Sequence, residues 1–152
     1  MANSNGNEPD FVYVTYIKTT PEKLWEALTT PAFTRQYWFG IDVTSDWKVG
    51  STVSYISNGE AKVQGKVLAA DRPKVLSYTF RETFGESSKE PPTKVTLELE
   101  PEAGTETVRL TVTHTDFVAG SKHRPSISGG WPAVLSGLKS LLETGKTLKF
   151  EE

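Results

Sequence analysis

The chain of 152 residues contains no cysteine. That excludes a disulfide framework, a thiolate metal site and a cysteine nucleophile, and it leaves packing as the source of stability. An excess of charge of one sign is also missing, since 17 Lys and Arg stand against 19 Asp and Glu for a formal net charge of −2. The basic residues are scattered, which gives no electrostatic footprint for nucleic acid or an anionic membrane surface. No apolar run approaches the roughly 18 residues of a membrane span. The opening MANSNGNEPD lacks both the charged and the apolar region of a secretory signal. These absences point to a cytoplasmic protein with a disordered tail over residues 1–10. They leave one domain over 11–150, long enough for a single core.

What is present is strongly patterned. The segment FVYVTYIK (Phe11–Lys18) is β-branched and aromatic and reads as a strand. Thr20 is placed to cap a helix whose first residue is Pro21, with Leu24, Trp25 and Leu28 as its apolar face, and Thr30-Pro31 ends it. A second short helix is expected from Pro31 to Tyr37. Strands follow near 43–46, 51–57, 61–70, 75–84, 93–100 and 107–116, punctuated by Gly50, Asn58-Gly59, Asp71-Arg72-Pro73 and Pro91-Pro92. Alternation puts Val53 and Tyr55 on one face of their strand, as it does Leu76, Tyr78 and Phe80, then Val95, Leu97 and Leu99, then Val108, Leu110, Val112 and His114. Thr96, Glu98, Thr111 and Thr113 take the opposite, polar face. This predicts an antiparallel sheet with one covered face. The cover is a helix over 129–145, in which Trp131, Val134, Leu135, Leu138, Leu141 and Leu142 share a stripe. Gly129-Gly130 is read as the sharp turn into it.

The order of these elements resembles the START-like (SRPBCC) helix-grip fold, the superfamily of the birch pollen allergen. The motifs are similar to those of the family named after the C-terminal domain of the activator of the heat-shock-protein-90 ATPase. They comprise Ile17 with Thr20-Pro21, Leu24-Trp25, Ala27-Leu28-Thr29 and Pro31; Asp46-Trp47 with Gly50; and Gly65-Lys66-Val67 with Asp71, Pro73 and Leu76 to Phe80. Thr111-Val112-Thr113-His114 follows, and then Gly130-Trp131 with Leu135, Leu138-Lys139, Leu142-Glu143 and Gly145. The resemblance spans about residues 11 to 148. It implies an α+β fold in which a curved six- to seven-stranded antiparallel sheet wraps a long C-terminal helix, with two short helices after the first strand. The chain departs from the family at Thr115-Asp116-Phe117, where a small residue and glycine are usual. That puts a carboxylate at the expected pocket mouth. The further domain that precedes this one in the eukaryotic co-chaperone is not seen before residue 11.

Function is expected in the space between sheet and helix. The candidate ligand-binding residues are Tyr13, Thr15, Trp38, Phe39, Tyr55, Tyr78, Phe80, Leu97, Val112, His114, Trp131, Leu135 and Leu138, and the ligand is a small hydrophobic molecule, aromatic or lipid-like. Three consecutive aromatics, Tyr37-Trp38-Phe39, cannot all face one core, so some are expected at the pocket. His114 and Asp116, two apart on a strand, would project to one side and could form a base dyad. No nucleophile elbow accompanies them, and His123 is placed in a basic loop, so neither catalysis nor a metal or cofactor is expected. Glu82, with the other carboxylates at strand ends, is assigned to solvent. The leading expectation is a monomeric, non-enzymatic carrier or stress-related sensor. The alternatives are a co-chaperone-like module that binds a protein, and a cyclase- or hydrolase-like enzyme that uses the same cavity.

Overall fold

A computed structural model describes residues 7–148. Strand β1 (Phe11–Lys18) leads into helices α1 (Pro21–Thr29) and α2 (Pro31–Tyr37), then strands β2 (Asp42–Thr44), β3 (Thr52–Ser57), β4 (Glu60–Asp71), β5 (Val75–Glu82), β6 (Thr93–Pro101) and β7 (Thr107–Thr115), and finally helix α3 (Arg124–Thr144). Two caps behave as their residue types dictate. Thr20 accepts a hydrogen bond from the Lys23 N–H at 3.2 Å, and Gly145 closes α3 in the left-handed region at φ 83°.

All seven strands form one antiparallel sheet in the order β1-β7-β6-β5-β4-β3-β2. Five of the connections are between sheet neighbours. The exception is the path from β1 to β2, which α1 and α2 carry to the opposite edge. Asn58 and Gly59, both at positive φ, make the tight turn between β3 and β4. Register shifts at Tyr55/Ile56 and Val67/Ala69 add the twist that curls the sheet. Gly65 sits where β4 presses onto β5. A Cβ there would lie 1.7 Å from the Thr79 carbonyl oxygen, so only glycine fits.

The inward sets expected on β3, β5, β6 and β7 are all buried, and α3 lays Ile127, Trp131, Val134, Leu135 and Leu138 across them. Toward its C-terminal end α3 lies along the edge strand: Glu143 accepts from the Lys18 N–H at 2.8 Å, and the Lys139 ammonium donates to the Tyr16 carbonyl. These side chains occupy backbone groups that an edge strand would otherwise leave open.

Three expectations require correction. Helix α3 begins at Arg124, five residues before Gly129, because Pro125 suits a first turn and Ile127 continues the apolar stripe one turn back. Gly129-Gly130 therefore lies inside the helix. β7 ends at Thr115; Asp116 turns to φ 73° and is exposed, so it does not face His114. The tail expected over 1–10 falls partly outside the described residues, while its last residues are tied down. The Glu8 N–H donates to the Phe117 carbonyl at 3.1 Å, and Arg124 donates to the carbonyls of Pro9 and Asp10.

Candidate functional site

The middle of the sheet–helix interface is packed solid. Leu97, Val112, Leu135 and Leu138 are each at most 2% exposed, and none lines the pocket beside them. At the N-terminal half of α3 the packing opens into a pocket of about 350 Å³. The helix contributes Ser126, Ile127, Gly130, Trp131 and Val134; the sheet contributes Tyr55, Ser57, Lys62, Val63, Phe80 and Glu82; the remaining walls are Trp38, Phe39, Ile41 and Phe84. A larger depression of about 530 Å³ lies at the other end of the molecule, between Lys18, Lys23, Glu106 and Glu143. Lysines, threonines and glutamates supply most of its lining side chains, and it has no aromatic wall.

The pocket walls hold one another edge to face. Trp38 packs against Tyr55 with centroids 4.9 Å apart and against Trp131 at 5.2 Å, while Tyr55 meets Phe80 at 5.3 Å. Behind Tyr55, Tyr78 shares a hydrogen bond between the two hydroxyls, and burial pushes both phenols above their ordinary range. Phe39 and Phe84 stand at the mouth, 58% and 52% exposed. Two large apolar residues more than half exposed beside an apolar pocket are an exception to normal burial.

A chain of hydrogen bonds fixes the back wall. The Trp131 indole N–H donates to His114 Nδ1 at 3.1 Å, so the imidazole carries its proton on Nε2 and donates it to Thr93 Oγ1, 2.7 Å away. The Thr93 hydroxyl in turn donates to the Phe80 carbonyl at 2.9 Å. Burial, with a smaller contribution from nearby His123, lowers the His114 pKa to about 3. The ring is thus neutral, fully used, and shielded from the pocket by Trp131 and Phe80.

His123 is buried too, against its expected place in a basic loop. It stacks on Phe80 at 5.2 Å, and its Nδ1 lies 3.3 Å from Glu82 Oε1 without meeting hydrogen-bond geometry. Contact with His123 holds the Glu82 carboxyl below its usual range; burial opposes this and the Ser87 hydroxyl, which donates to Oε1, adds to it. Glu82 therefore lines the pocket as a half-buried carboxylate, which corrects its assignment to solvent. Its parity with Tyr78 and Phe80 on β5 was the available signal.

Of the sequence candidates, Trp38, Phe39, Tyr55, Phe80 and Trp131 meet at this pocket. Tyr78 and His114 stand behind its wall. Tyr13 and Thr15 are half-buried on β1, away from it. Sequence reasoning missed Ile41, Lys62, Phe84, Ile127 and Val134 as well as Glu82.

A family model described as "Activator of Hsp90 ATPase homolog 1-like protein" matches residues 18–143. The chain belongs to that family. Its fold is similar to that of an Aha1 dimer from Colwellia psychrerythraea, with 25% identity, TM-score 0.75 and coverage of 91% of this chain and 99% of the other. A protein from Mesorhizobium loti is similar at 26% identity and TM-score 0.74, over 89% and 97% of the two chains. An HSP90 activator from Plasmodium falciparum, at 18% identity and TM-score 0.73 over 89% and 96%, shares the fold. No match among curated proteins was found. In this member of the homolog 1-like family the candidate site is a pocket at one end of the helix-grip interface. Among the described residues no helix is long and apolar enough to cross a membrane.

Proposed function

We propose that the protein binds a small, largely aromatic molecule in the pocket between α3 and strands β3 to β5, without transforming it. The observation that carries this reading is the pair of exposed rings, Phe39 and Phe84, at the mouth of a pocket walled by Trp38, Tyr55, Phe80 and Trp131. A non-catalytic role is supported by His114, whose two ring nitrogens are both committed within the protein. Burying about 300 Å² of ligand surface contributes roughly 7 kcal/mol at about 25 cal/mol per Å². Association costs of at least about 4 kcal/mol leave affinity near the millimolar range before polar contacts are counted.

Gly130 supplies the test. It borders the pocket, and a Cβ added there meets no atom within 4 Å. Gly130→Leu would fill the space while raising helix propensity. Calorimetric titration with small aromatics should show binding to the wild type and none to a folded Gly130→Leu protein. Unchanged binding to that variant would place the ligand elsewhere.

The family description and the exposed pair Phe39 and Phe84 also favour a second reading, a co-chaperone-like surface that docks a protein. Stimulation of a chaperone ATPase by the wild type, lost in a Phe39→Ser, Phe84→Ser double variant, would support it. The monomer expected from sequence belongs to the first reading. Light scattering decides between it and a dimer such as that of the Colwellia relative.

A further inference from the structure

The pocket is apolar on most sides and carries one carboxylate whose bonding is lopsided. Both close contacts of Glu82, the Ser87 hydroxyl and His123 Nδ1, fall on Oε1. Oε2 makes no hydrogen bond among the described residues, although the side chain is only 18% exposed and borders the pocket. Oε2 is not sealed from solvent, so it is free to accept from a donor that enters the pocket, and a charged donor makes the stronger bond. Phe80, Tyr55, Trp38 and Trp131 line the same pocket, and aromatic rings attract a cation through their quadrupoles.

From this arrangement we infer that the ligand of the pocket is an arylalkyl ammonium, its aromatic body against the wall that Trp38 and Trp131 form together and its ammonium donating to Glu82 Oε2. A neutral hydroxyl would satisfy the carboxylate but gain little from the rings; an ammonium gains from both. The one competing charge is Lys62. Its ammonium lies 3.3 Å from Glu60 Oε1 and 5.6 Å from the centroid of the Phe84 ring, so it is engaged at the mouth with groups on the outer side. His123 faces Glu82 from the helix side and lies behind Phe80, out of the lining. This inference rests on the proposed ligand-binding pocket and adds the chemistry that its polar end requires.

Three probes with one indole body separate the possibilities: tryptamine, tryptophol and indoleacetate carry an ammonium, a hydroxyl and a carboxylate. In titration calorimetry at neutral pH, tryptamine should bind about tenfold or more tighter than tryptophol, the difference expected of a charge-assisted hydrogen bond, with indoleacetate weakest. Glu82→Gln should bring tryptamine down to the level of tryptophol while leaving tryptophol nearly unchanged. Equal affinities for all three, or preference for indoleacetate through Lys62, would overturn the assignment and leave the pocket itself standing. Failure of all three to bind would overturn the pocket as well. The wild-type series alone decides the point if Glu82→Gln does not fold.

Discussion

The Trp131 indole and the His114 imidazole are joined by a 3.1 Å hydrogen bond, so a side chain that forms the pocket wall is oriented by one that never reaches the pocket. Removing the imidazole leaves a buried indole N–H without its acceptor and the Thr93 hydroxyl with one partner fewer. His114→Phe is therefore expected to cost about 2–4 kcal/mol of stability near neutral pH, read by urea unfolding. A loss under about 0.5 kcal/mol would mean the chain of bonds carries little.

The same residue sets a pH dependence. His114 is neutral in the fold and its pKa falls from 6.5 to about 3, so between those values the unfolded chain takes up a proton that the folded protein refuses. Stability from this group is complete above about 6.5 and declines as the pH drops toward 3. By about pH 4 the loss should approach roughly 3 kcal/mol at about 1.4 kcal/mol per unit. The depressed Glu82 adds a further loss only below the ordinary carboxylate range. The deficit of His114→Phe relative to wild type should shrink over the same interval. A constant deficit from neutral pH to about pH 4 would contradict the neutral, buried imidazole.

Much of this arrangement was legible in the sequence, for identifiable reasons. Val108, Leu110, Val112 and His114 alternate without a break, and parity alone put all four inside. Alternation on β5 carries Glu82 to the same face as Phe80, but a carboxylate at a strand end usually meets solvent; of the two groups that hold it, Ser87 lies five residues on and His123 comes from the start of α3. His123 was hidden by its neighbours Lys122 and Arg124, whose charge suggested a loop, while Pro125 and Ile127 were already the first turn of α3. The parity of Asp116 failed since the strand ended one residue earlier at a positive φ, which no period of two anticipates. The position of the open space was not legible at all. Leu135 and Trp131 share one stripe, yet one is sealed in the core and the other borders a cavity, a difference set by what the facing strands bring opposite each.

Gly65 should tolerate no side chain. Its Cβ would overlap the Thr79 carbonyl oxygen at 1.7 Å, and the Gly65 and Thr79 backbones are both paired in the sheet and cannot give way cheaply. Gly65→Ala is expected to lose about 3 kcal/mol or more, measured as a fall in the midpoint of thermal unfolding relative to wild type. A midpoint within a degree or so of wild type would contradict the close approach.

At the mouth, Phe39 holds φ at 52°, a conformation that favours glycine, while its ring is mostly in solvent. Phe39→Gly should leave stability within about 1 kcal/mol of wild type, with strain relief offsetting the lost ring contacts. Affinity for aromatic ligands should fall several-fold in the same variant. Lost stability with retained affinity would assign Phe39 to the core instead of the pocket.

The pocket beside Trp131 is proposed as the place where this protein meets its ligand. A two-dimensional amide and indole NMR titration of the labelled protein with small aromatic amines tests it most directly. Saturable shifts are expected at the Trp38 and Trp131 indole N–H groups and at the amides of Tyr55, Phe80, Glu82 and Ile127, with Tyr13, Leu97 and Leu138 unmoved. Shifts centred on Leu138 and β1, or none at saturating ligand, would contradict it.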